Sequence, residues 1–169
     1  MIKHFVMATL LAFSVSSQAL AADKNWPPPS HPIYAQQLSD ETMKAHPELL
    51  SVTFHGVPPG LHDSYTMFAG SYPDRIGNPD DPDDIDVSKK GITIVDPRWH
   101  HTHDPAPKFV VLTPLRDRAG ENIGLVVYAF KVRAESNAGE RQFYLKALDL
   151  RDKLAERIPS YEALFAPAH

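Results

Sequence analysis

Three histidines fall within four positions of this 169-residue chain, in the run Trp99-His100-His101-Thr102-His103-Asp104. Imidazole nitrogen suits Zn, Cu and Ni. In an extended segment His101 and His103 point one way and His100 the other. His101, His103 and Asp104 are therefore a candidate metal set, with the distant His55 or His62 as a further ligand. A complete zinc site takes three or four protein ligands, and spacing alone does not bring the distant ones together. Pro97, Pro105 and Pro107 also suit a plain solvated loop. No resident cofactor is expected, and histidine-mediated Cu, Zn or Ni binding stands as the alternative function.

The second chemical feature is acidic. Asp80, Asp81, Asp83, Asp84 and Asp86 crowd into seven positions, but no start among them gives an EF-hand its glycine at position six together with its glutamate at twelve. The same residues fit a short helix. Asp81 is its N-cap, Pro82 its first residue, Asp83 and Asp84 sit at the positive dipole end, Lys89 and Lys90 at the negative end, and Gly91 is the left-handed stop. Hydrolase signatures are absent: there is no GxSxG elbow and no HExxH helix. His55 with Asp63 forms an acid–base pair only of the kind expected by chance among nine histidines, and haem ligation by His55 or Met67 has no CxxCH to accompany it. No catalysis is expected.

The elements that must position these residues follow from periodicity. From Ile33, the spacing Tyr34, Leu38, Thr42, Ala45 keeps one helical face, and His46-Pro47 ends it. Leu49 to His55 alternates, with Leu49, Ser51, Thr53 and His55 on one face and Leu50, Val52 and Phe54 on the other. Tyr65 to Ser71 reads as a second strand and Ile92 to Asp96 as a short one. Lys108 to Arg116 and Asn122 to Arg133 read as a long hairpin turning at Asp117 to Glu121. In its second arm Ile123, Leu125, Val127 and Ala129 alternate with Val126, Tyr128 and Phe130, so both faces are apolar and the strand is central. Asn137 and Glu140 are spaced as a capping box before a stripe of Phe143, Ala147, Leu150, Leu154 and Ile158 that Pro159 ends.

Composition bounds the address. There is no cysteine, which excludes disulfides, thiolate metal sites and cysteine nucleophiles. The 16 prolines, about twice the usual share, argue against a long helical bundle. Residues 1–21 read as an export signal: Lys3 and His4 at a basic start, an apolar stretch from Phe5 to Val15, and Ala19-Leu20-Ala21 as a cleavage site. The stretch is shorter than the ~20 residues of a membrane span, so a periplasmic or secreted product without membrane anchor is expected. Removing Lys3 leaves 16 basic against 21 acidic residues, a net −5, which disfavours nucleic acid as a partner. Residues 22–32, with Asn25 to Pro32 reading NWPPPSHP, are expected to be a proline-rich linker ahead of a single domain over 33–165.

The order of elements fits an α+β domain, a five-stranded antiparallel sheet flanked by an N-terminal and a C-terminal helix. The run from His46 to Arg133, with HPELLSVTFHGVPPG, YTMFAGSYPDRIGNPDDPDD and FVVLTPLRDRAGENIGLVVYAF, resembles a single Cache domain, the PAS-like extracytoplasmic sensor fold. The resemblance implies a cup that binds a small organic ligand such as an acid or amine. It also implies a membrane receptor or another periplasmic protein to which occupancy is passed. With neither a second membrane segment nor an output domain after Phe165, signalling in cis is not expected. Such a cup needs one or two fixed polar groups in apolar surroundings, and Tyr65, Arg75, Trp99, His101, Lys108 and Tyr128 are the candidates. Arg75 stands first because its guanidinium grips a carboxylate in two-pronged fashion; the competing expectation pairs it with Asp74 or the nearby aspartates.

Overall fold

The computed structural model describes residues 23–97, 108–132 and 136–169. Its elements are helices α1 (Tyr34–Ala45), α2 (Pro82–Lys90) and α3 (Asn137–Ala155), and strands β1 (Leu49–Gly56), β2 (Thr66–Gly70), β3 (Ile94–Asp96), β4 (Phe109–Arg116) and β5 (Asn122–Phe130). The strands form one sheet in the order β2-β1-β5-β4-β3, and every neighbouring pair is antiparallel. This is the expected α+β class. β5 lies in the middle, which explains why its sequence is apolar on both faces. No helix among the described residues is long and apolar enough to cross a membrane.

The two faces carry unequal cores. α1 and α3 cover the larger, in which Leu38, Val52, Phe54, Phe109, Val126, Tyr128, Phe130, Leu150 and Leu154 are buried together. Phe143 of α3 stacks against both Phe109 and Phe130, at centroid distances of 5.3 and 5.1 Å. On the opposite face α2 sets Val87 against Val110, Leu112, Leu125 and Ala129. This smaller core leaves part of the sheet unfilled, and the cleft described below lies there.

α2 forms as its local chemistry dictates. The side chain of Asp81 accepts from the third helical amide while Asp84 Oδ2 accepts from the Asp81 amide, Pro82 opens the first turn, and Gly91 stops the helix at φ 65°. Three expectations need correction. β1 has a register shift between Leu49 and Ser51, so Leu49 joins Val52 and Phe54 in the larger core and Leu50 packs against the smaller one. A bulge of this kind reverses the alternation across it. α3 is capped one residue earlier than the Asn137–Glu140 spacing suggests, by Ser136, whose hydroxyl accepts from the Gly139 amide at 3.2 Å. The proline-rich segment ahead of α1 is more than a spacer: Trp26 is buried in the larger core, edge-on to Phe165, and the Asn25 amide donates to the Gly77 carbonyl at 2.9 Å.

Candidate functional site

β1 turns an unusual set of side chains toward α2. Its opposite face is wholly apolar, yet Ser51, Thr53 and His55 are polar and buried. His55 is held at both ring nitrogens: Nε2 lies 2.8 Å from Thr53 Oγ1 and Nδ1 lies 2.7 Å from Asp80 Oδ1. Asp84 Oδ2 is 3.8 Å from the same Nδ1. Asp80 stands just before the N-cap of α2 and is fixed there by its backbone, since its amide donates to the Tyr65 carbonyl at 3.1 Å and Pro79 bridges to Thr66. The Asp80 side chain is 1% exposed.

Burial and charge compete at this cluster. Desolvation alone pushes the His55 imidazole toward its neutral form; the charge and hydrogen bond of Asp80, with Asp84 behind, outweigh it and raise the pKa above 6.5, against a smaller opposing effect of Arg75. The shift is thus toward the charged form; the Asp80 carboxylate accepts from Nδ1–H, and Nε2 shares a hydrogen bond with the Thr53 hydroxyl. Burial first, then repulsion from Asp80 and Asp83, pushes the Asp84 carboxyl up to about 6, although His55 and the Asp81 amide pull it down.

Above the cluster a cleft opens between α2 and the sheet. Met67, Val110, Leu112, Val127 and Ala129 supply its apolar floor, Ser51, Thr53 and His55 the polar strip, and Tyr72, Arg75, Asp81, Asp84 and Lys108 its rim. The free volume is ≈ 100 Å³. Arg75 comes from a short 3-10 turn, Pro73–Arg75, directly after β2, and its guanidinium lies over the Tyr72 ring at 5.7 Å. Among the described residues no carboxylate forms an ion pair with Arg75, so the expected pairing with Asp74 or the aspartate-rich segment does not occur.

Of the sequence-derived candidates, Arg75 and Lys108 meet at this cleft. Tyr128 does not: it is fully buried in the larger core on the opposite face of the sheet, because residues 126, 128 and 130 of β5 all point to α1 and α3. Tyr65 sits outside the cleft, half-buried, with the Lys89 ammonium 5.1 Å from its ring centroid. Trp99, His101, His103 and Asp104 lie outside the described residues. His55 takes Asp80 as its carboxylate partner in place of Asp63, an exposed residue at φ 57°. Sequence reasoning singled out His55 but missed the partners it has here, Thr53, Asp80 and Asp84. One signal was present: Asp80 precedes the N-cap, so the helix-end account of the aspartates left it without a task.

No family model matches the chain, and no curated protein matches it. Solved structures are similar to it at low identity. A GAF sensor protein of Burkholderia vietnamiensis is 13% identical over 76% of this chain and 76% of that one, with a TM-score of 0.48. The type II free methionine-R-sulfoxide reductase of Thermoplasma acidophilum is 15% identical over 78% and 92%, with a TM-score of 0.47. The DcuS sensor domain of Escherichia coli is 20% identical over 64% and 71%, with a TM-score of 0.37. None of these likenesses singles out a Cache domain.

Proposed function

We propose that the protein binds a small organic acid in the cleft between α2 and the sheet, without converting it, and that it does so outside the cytoplasm. Arg75 carries this reading: a guanidinium on the rim of a half-apolar cleft, with no ion-pair partner among the described residues, is a ready two-pronged receptor for a carboxylate. The hydroxyls of Ser51 and Thr53 offer fixed polar partners deeper in, and the floor takes a short carbon chain. Size follows from the free volume of ≈ 100 Å³. A dry cavity of ~150 Å³ accepts benzene, so acids of about two to four carbons fit.

The test is thermal unfolding with acetate, propionate, lactate and succinate at millimolar concentration. A ligand at about a hundred times its Kd adds about 2.7 kcal/mol, a rise in Tm of about 5–10 °C for a chain of this size. Arg75→Ala is expected to abolish the rise and Arg75→Lys to retain part of it. The reading fails if no acid shifts the wild type, or if Arg75→Ala responds as the wild type does. The export part is checked separately: protein recovered from the periplasm or the medium is expected to begin at Ala22.

A further inference from the structure

We propose that His55, Asp80 and Asp84 form a divalent-cation site at the foot of the cleft, taking a first-row transition ion such as Zn²⁺ through Nδ1 of His55 and one oxygen of each aspartate. This goes beyond the organic-acid reading, which rests on Arg75, and it concerns none of the residues of the histidine-rich run. The three donor atoms lie within 4.8 Å of one another and come from separate stretches: β1, the turn before α2, and the first turn of α2. The second observation is an orphan. Asp80 Oδ2 is buried and has no hydrogen-bond partner, in a side chain only 1% exposed. A buried carboxylate oxygen left without a donor costs free energy unless a cation takes its place.

Distances and charge agree with that occupant. Around a tetrahedral Zn²⁺ with bonds of about 2.0–2.1 Å, neighbouring donors stand about 3.3 Å apart; the His55 Nδ1 separations of 2.7 Å to Asp80 Oδ1 and 3.8 Å to Asp84 Oδ2 bracket this value. The ion enters by replacing the proton that Nδ1 shares with Asp80, and that proton leaves to solvent. Two carboxylates then balance the two positive charges. The hydroxyl of Thr53, 2.8 Å from Nε2, supplies the outer hydrogen bond that orients a ligating imidazole. His55 and Asp84 both line the cleft, so three protein donors leave a coordination position on the cleft side. The neighbouring group of Asp81, Asp83 and Asp84 lies at the helix N-terminus and includes an exposed member, and it is fully accounted for by capping.

The probe is Zn²⁺ titrated calorimetrically into metal-stripped full-length mature protein carrying His101→Ala and His103→Ala, which removes the two histidines of the other candidate set. One ion per chain is expected. Asp84→Asn in that background is expected to weaken binding at least tenfold while the circular dichroism spectrum stays native; Asp80→Asn does the same where it folds. Arg75→Ala, which removes a nearby positive charge, is expected to bind Zn²⁺ at least as tightly as its parent while losing the response to organic acids, which separates this site from the acid-binding one. The proposal is overturned if the doubly substituted protein takes up no Zn²⁺, or if Asp84→Asn binds as tightly as its parent.

Discussion

At the scale of single residues, the site is a set of charges that burial has crowded together. Asp84, on α2, faces His55 on β1, Asp80 on the preceding turn and Asp81 and Asp83 on its own helix, with Arg75 of the 3-10 turn acting on His55 from the rim. Its carboxyl rises from 3.8 to about 6 in the folded chain, so folding favours its protonated form. That contribution is complete below about pH 4 and is lost as pH climbs through 6. His55, raised above 6.5, follows the same sign: its contribution is full below its ordinary pKa and fades above its folded one. The lowered carboxyls of Glu41 and Glu48 act in the opposite sense, but below their ordinary pKa of 4.5. Metal-free protein is therefore expected to lose stability from pH 4 to pH 8. Asp84→Asn removes its share and is expected to raise stability at pH 8 by about 1–3 kcal/mol, and by less than about 1 kcal/mol at pH 4. Urea titrations at the two pH values decide it; an Asp84→Asn protein that is less stable at pH 8 would sink the argument.

Elements show what local sequence can and cannot specify. Both ends of α2 were legible, because Asp81, Pro82 and Gly91 act on their own backbone within a turn. So was β5, whose double apolar face suits only a central strand. The bulge in β1 was not legible, since it arises where Leu49 and Ser51 register against β5, some eighty residues away. Likewise Asp80 meets His55 across 25 residues, and its place ahead of the N-cap sets it apart from the other aspartates without naming the partner it turns to. The close approach of β1 to β5 is itself testable. Gly124 has φ +147°, and a Cβ there would stand 2.5 Å from the His55 carbonyl oxygen. Gly120 in the hairpin turn has φ +87° with nothing within 4 Å of that position. Gly124→Ala is expected to cost about 2–4 kcal/mol, backbone strain plus displacement of β1, and Gly120→Ala only about 1–2 kcal/mol. Equal costs in chemical denaturation would mean that the close strand contact at His55 adds nothing.

For the whole molecule, the segment expected to be a linker contributes one side chain, Trp26, to the core. With no cysteine to staple it, the domain gathers its two ends by packing. Ile33 bridges to Pro167, and the Ala168 amide donates to the Pro32 carbonyl at 3.0 Å. Trp26 fills the space beside Phe165, with ring centroids 6.1 Å apart and the planes at 84°. Proline favours this arrangement because an extended strap has few conformations to lose on docking, so NWPPPSHP binds along the surface where a flexible linker would not. Gly77 completes the seat: its φ is +92°, and a Cβ there would come within 2.2 Å of the Trp26 carbonyl oxygen, so only glycine lets the strap lie down two residues after Arg75. Trp26→Ala should then cost about 3 kcal/mol, lowering Tm by about 6–12 °C. His31→Ala, on the exposed side of the same strap, should change stability by less than about 0.5 kcal/mol. If the two substitutions have the same small effect, residues 23–32 are a tether and the domain begins at α1; if Trp26→Ala alone is costly, the folded unit starts almost at the expected cleavage point.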